Sequence, residues 1–189
     1  MTTLVLIRHG QTSWNIEGRW QGQSGPPLNE RGREQARRAA EFHRRFGLAA
    51  LYSSDLRRAM ETAQIIAREI GHDVIPESRL REINLGKWQG MLSADIRAQY
   101  PDEFRRWHEE PLSMQPPEGE TILALSVRVL KTVNEIIMRH PRQRIGVVAH
   151  ELPIAIVLCR SAGLELDHLR SMMPQNGAWN EVVLQGELR

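Results

Sequence analysis

The chain has 189 residues, enough for one well-filled core and short for two, and its apolar and charged fractions, 41% and 25%, are those of a soluble globular domain. Lys and Arg (25) nearly balance Asp and Glu (23) without a long one-signed block, which argues against nucleic acid as a partner, and no apolar run approaches the length needed to span a bilayer. The single cysteine, Cys159, excludes an internal disulfide and a CxxC zinc site, and the start Met-Thr-Thr-Leu-Val lacks a basic n-region, so the expected compartment is the cytoplasm.

Leu4 to Ile7 is a continuous apolar run of the kind seen in strands buried on both faces, and it leads directly into Arg8-His9-Gly10. Asn29 is placed to cap a helix reaching about Phe46, with Ala36, Ala39, Ala40 and Phe46 on its apolar side. Ala49 to Ser53 reads as a short strand. Asp55 is the expected cap of the next helix, in which Leu56, Ala59, Ala63, Ile66 and Ile70 keep the 3.6 period until Gly71 stops it. Asp73 to Ile75 reads as a third strand. Two short helical segments follow between about 93 and 110, broken at Pro101, and then a Pro-rich loop from Pro111 to Gly119; the stretch of about 91–120 is the expected lid or insert. Thr121 caps a long helix ending before Pro141, Arg144 to Ala149 is a buried-type strand, Leu152 to Gly163 a helix, and Glu181 to Leu184 a final strand. Strands alternating with helices predict a single-domain three-layer α/β/α sandwich with a mostly parallel sheet.

Three of these strands end in reactive polar groups: Arg8-His9, Ser53-Ser54 followed by Arg58, and His150. In a parallel sheet such ends share one edge, where ligands of open α/β sheets gather. A guanidinium beside an imidazole suits a phosphoryl group, because Arg offers forked donors to phosphate oxygens while neutral imidazole offers a lone pair to phosphorus. Taken singly, each residue also has an ordinary reading, Arg58 as a solvated arginine and His150 as a satisfied core histidine. His43, His72, His108, His140 and His168 are scattered outside any HxH or HExxH pattern and are read as solvated, so no metal site is expected.

The ordered blocks Leu6-Ile7-Arg8-His9-Gly10-Gln11-Thr12-Ser13-Trp14-Asn15, Arg19-Trp20-Gln21-Gly22, Leu28-Asn29-Glu30-Arg31-Gly32, Ser53-Ser54-Asp55-Leu56-Arg57-Arg58, Leu80-Arg81-Glu82-Ile83-Asn84-Leu85-Gly86 and Val147-Val148-Ala149-His150 resemble the histidine phosphatase superfamily, which includes the cofactor-dependent phosphoglycerate mutases. The resemblance extends over most of the chain. It implies that His9 becomes phosphorylated, that Arg8, Arg58 and His150 form the phosphate pocket, that Asn15 adds an amide donor, and that Gln21 and Gly22 lie near the transferred phosphate. It assigns Glu82, an ordinary surface carboxylate by pattern alone, as proton donor and later as base for the attacking water. His9 would then have to be neutral and oriented through its other ring nitrogen, and a cationic His150 would help stabilise the transferred charge.

The resemblance covers both phosphatases and mutases. The short segment between the Glu82 block and the last histidine favours the small-phosphatase branch, and Tyr100-Pro101-Asp102-Glu103-Phe104-Arg105-Arg106-Trp107 with Glu109-Glu110-Pro111 is similar to metal-independent phosphoserine phosphatases. The expected partner is thus a small phosphorylated metabolite, with no cofactor. A phosphoglycerate mutase and a non-catalytic phospholigand-binding protein remain the alternatives, and oligomeric state, a homodimer included, stays open. One departure concerns Glu151, which follows His150 where the family commonly has glycine. Its carboxylate is expected either to sit at the start of the following helix or to meet an ammonium group on the substrate.

Overall fold

In the computed structural model, which describes residues 1–188, the opening apolar run becomes β1 (Thr2–Arg8) of a five-stranded sheet. β2 (Ala50–Ser53), β3 (Val74–Pro76) and β4 (Arg144–Ala149) run parallel to it in the order β3-β2-β4-β1, and β5 (Trp179–Leu184) adds an antiparallel edge beside β1. The helices are α1 (Ser13–Glu17), α2 (Glu30–Arg44), α3 (Arg57–Ile70), α4 (Ser93–Gln99), α5 (Pro101–Glu109), α6 (Ile122–Arg139) and α7 (Glu151–Ser161). Val5 and Ile7 pack with α2 and α3 on one face of the sheet, Leu4 and Leu6 with α6 and α7 on the other. Both sets of alternating side chains on β1 are therefore buried, which explains its unbroken apolar run. The architecture is the expected three-layer α/β/α sandwich with a mostly parallel sheet.

Asn29 caps α2 by accepting from the Gly32 N–H at 2.8 Å, and Thr121 caps α6 by accepting from Ala124 at 3.1 Å. Pro101 separates α4 from α5 and occupies the first turn of the latter, where its missing N–H costs nothing. Other details differ from the sequence reading. The cap of α3 is Leu56, with no side-chain bond; the Asp55 carboxylate instead receives both ends of the Arg81 fork, at 2.6 and 2.5 Å. A charge-assisted pair is stronger than a neutral cap, and it ties the loop carrying Glu82 to the end of β2. α2 stops at Arg44, so Phe46 falls beyond it and is exposed instead of joining its apolar side; β5 starts two residues before the expected Glu181, and the short α1, held by a Thr12/Asn15 capping box, has no counterpart in the sequence reading. His43 is fully buried against Phe42 and Trp179, not solvated, and neither ring nitrogen has a hydrogen-bond partner. No helix among the described residues is long and apolar enough to cross a membrane.

Candidate active site

The parallel register brings the ends of β1, β4 and β2 side by side: Arg8 lies opposite Ala149, and Val148 opposite Ser53. Arg8, His9, Ser54 and His150 thereby meet at one edge of the sheet. Gly10 lets the loop after β1 settle on the first turn of α2, because a Cβ there would lie 2.3 Å from the Gly32 carbonyl oxygen. Thr62 of α3 accepts from the Gly10 N–H at 3.1 Å and fixes the same turn.

His9 is 3% exposed. Its Nδ1 lies 2.7 Å from the Gly10 carbonyl oxygen, an acceptor only, so Nδ1 carries the proton and Nε2 keeps its lone pair. Burial, then the charges of Arg58 and Arg8, hold the imidazole pKa well below its usual value, whereas the Gly10 carbonyl opposes them. The ring is therefore neutral and oriented through its other nitrogen, as a nucleophile at this position requires.

Arg58, in the first turn of α3, donates from Nε to His9 Nε2 at 3.1 Å, from Nη1 to the Ser24 carbonyl at 2.7 Å and from Nη2 to the Gly22 carbonyl at 2.6 Å. Desolvation lowers its pKa to about 10, so it stays charged. Arg8 donates from Nη1 to the Pro174 carbonyl and to Glu151 Oε1, both at 2.6 Å, while its buried Nε has no partner. His150 is fully buried, its ring 5.1 Å from that of His9. Its Nε2 lies 2.8 Å from Ser54 Oγ, and its Nδ1 is unpartnered. Burial and the neighbouring Arg58, His9 and Arg8 hold its pKa well below the usual value, against the cationic form expected from its role.

Glu82 follows the 3₁₀ turn Ser78–Leu80 and faces the same pocket. Its Oε1 accepts from the Ile83 N–H at 2.8 Å and its Oε2 from the Leu152 N–H at 3.4 Å. Desolvation pushes its carboxyl pKa up; the Ile83 bond, Arg58 and Arg8 pull it down, and the nearby Glu151 adds to the rise. Asn15, Gln21, Gly22 and Glu151 line the same cavity of about 530 Å³, so every residue singled out from the sequence converges there, with His150 beneath it. The Asn15 Oδ1 is engaged by the Thr12 backbone N–H at 2.9 Å. Glu151 does occupy the first turn of α7, but its carboxylate turns to Arg8. The sequence reading missed Trp20, His108, Arg170 and Met173, which form the outer wall together with Trp107, and the carbonyls of Gly22, Ser24 and Pro174. Only the tryptophans carried a sequence signal, since backbone acceptors have none.

The profile of the histidine phosphatase superfamily (branch 1) matches residues 4–188. A protein named phosphoserine phosphatase 1, from Hydrogenobacter thermophilus, is 36% identical over 98% of this chain and 88% of its own length. A probable phosphoglycerate mutase GpmB from an Enterobacter species is 34% identical over 87% of this chain and 76% of that protein. Among solved structures, a mycobacterial glucosyl-3-phosphoglycerate phosphatase, Rv2419c, in complex with VO3 superimposes with a TM-score of 0.86 at 33% identity, covering 95% of this chain and 90% of the other. The chain belongs to the histidine phosphatase superfamily, branch 1.

Proposed function

We propose that the protein is a metal-independent phosphomonoester hydrolase that works through a phosphohistidine at His9 on a small phosphorylated metabolite. The observation that carries this reading is the pair of buried nitrogens without partners, Arg8 Nε and His150 Nδ1, beside a neutral imidazole whose Nε2 keeps its lone pair. Buried polar groups are rarely left unsatisfied, and two such nitrogens around a nucleophile fit the oxygens of a tetrahedral anion. His150 serves by donating from Nδ1, with the Ser54 hydroxyl turned to donate to Nε2.

In the first step His9 Nε2 attacks phosphorus in line as the P–O bond breaks, and the leaving oxygen takes the proton of Glu82. Arg58 Nε exchanges its contact with His9 for a phosphoryl oxygen. In the second step water attacks phosphorus and gives a proton to Glu82, the P–N bond breaks, and His9 returns neutral. The guanidinium groups of Arg8 and Arg58 supply the charge stabilisation throughout, so the reading calls for no metal. The 91–120 segment, whose Trp107 and His108 line the pocket, serves as the lid. Phosphoserine is the first substrate to test, supported by the name of the Hydrogenobacter relative and by the Glu151 carboxylate, which can meet an ammonium group.

The test is phosphate release from phosphoserine, 3-phosphoglycerate and sugar phosphates with EDTA present, together with alkaline-quench labelling of the enzyme and a His9→Ala control. Release and a base-stable phosphoenzyme, both lost in the variant, are expected. Interconversion of 2- and 3-phosphoglycerate after priming with bisphosphoglycerate, without release, would move the protein to the mutases. Phosphate binding with neither activity would make it a binding protein.

A further inference from the structure

A second cavity, of about 420 Å³, lies beside the pocket just described and shares Trp107, His108, Leu152, Arg170 and Met173 with it. Its inner wall is apolar: Leu112 from the loop after α5, Ile122 from α6, and Leu166 and Leu169 from the 3₁₀ segment Leu166–Met172. Glu109, Glu110 and Asp167 stand at its border. The two cavities meet on the leaving-group side of the reaction. The Leu152 N–H points to Glu82 Oε2 at 3.4 Å, and the buried Leu152 side chain lines both spaces. A leaving group whose bridging oxygen takes its proton from Glu82 therefore extends past Leu152 towards this annex.

We infer that the annex is a leaving-group subsite, and that the enzyme accepts phosphomonoesters whose alcohol carries an apolar extension, in addition to esters filling only the inner pocket. The inference rests on the phosphomonoesterase reading. A phosphoserine-sized alcohol has no atoms with which to cover the leucine and isoleucine side chains of the annex. An alkyl chain entering it removes apolar surface from water on both sides, which is worth about fourfold in affinity per buried methylene.

The experiment compares kcat/KM for ethyl, butyl, hexyl and octyl phosphate with the affinity of the matching n-alkylphosphonates, measured calorimetrically. Both should rise along the series, by up to about fourfold per methylene until the annex is filled. Leu112→Asp should flatten the rise and Leu112→Met should keep it. The quantity read is the octyl-to-ethyl ratio, which a general loss of folding or chemistry leaves unchanged. Phosphonate affinity independent of chain length, or a Leu112→Asp variant with the wild-type ratio, overturns the annex. Phosphonate affinity that rises with length while no ester is hydrolysed keeps the annex and overturns the phosphatase reading instead.

Discussion

Glu151→Gln tests how the pocket tunes its hold on phosphate. Glu151 Oε1 accepts from Arg8 Nη1 at 2.6 Å, so a carboxylate neutralises one of the two guanidinium groups that would hold the anion. A phosphoryl oxygen bound by Arg8 Nε would lie about 6 Å from that carboxylate, where an effective dielectric of about 20 gives a repulsion of roughly 3 kcal/mol per unit charge. The Glu151 side chain is 38% exposed, and solvent screening removes at least half of this. About 1.4 kcal/mol remains, or about tenfold in affinity. Glutamine preserves the hydrogen bond to Arg8 and removes the charge, so the inhibition constants of inorganic phosphate and vanadate should each fall about tenfold. The same substitution lowers KM for amine-free phosphomonoesters. If Glu151 also meets a substrate ammonium, phosphoserine alone should show the opposite trend. Unchanged or weaker inhibition by phosphate in Glu151→Gln would refute the electrostatic argument, and equal changes for amine-bearing and amine-free esters would remove the ammonium role.

Three further outcomes follow from the same geometry. His9 has a depressed pKa and must be neutral, while Glu82 has a raised pKa and must hold its proton, so kcat/KM should fall as acid protonates His9 and again as rising pH deprotonates Glu82, and Glu82→Gln should lose the alkaline limb along with about a hundredfold or more in kcat. Ser54→Ala removes the group that orients His150 through Nε2; a drop of about tenfold in kcat, with unfolding by urea little changed, is expected from the loss of one oriented donor. His43 is buried with its pKa lowered to about 4, first by desolvation, then by Arg144, with Glu181 opposing. The unfolded chain binds this proton more readily, so the stability from keeping His43 neutral is intact above its ordinary value and is lost as pH falls towards about 4. The loss amounts to about 3 kcal/mol, and His43→Leu should reduce the stability difference between neutral and acid pH by that much in urea titrations; an identical difference in the two proteins would show that His43 is not the group responsible.

The strands and most helices were legible because their cause is local. The run Leu4 to Ile7 marks a strand buried on both faces, and Asn29 and Thr121 cap helices with their own side chains. Asp55 was misread because its partner, Arg81, lies 26 residues away, and a bidentate ion pair outcompetes a cap. His43 was misread because its helix is arginine-rich, whereas burial there depends on Trp179 from a strand at the other end of the chain. At the site, residue types were readable but the electrostatics were not: desolvation by the fold, together with two arginines, disfavours the cationic form of His150 that its role suggested.

The state of Arg58 was equally hidden, because two of the groups that hold it are the carbonyls of Gly22 and Ser24 and the third is the nucleophile itself. That last contact bears on how the proposed reaction begins. With Arg58 Nε donating to His9 Nε2, the attacking lone pair is occupied until an acceptor draws the guanidinium away. A phosphoryl oxygen is such an acceptor and carries more charge than a neutral imidazole. On the proposed reading, then, the anion that recruits Arg58 also frees the lone pair that attacks it, and binding and activation of the nucleophile are one rearrangement.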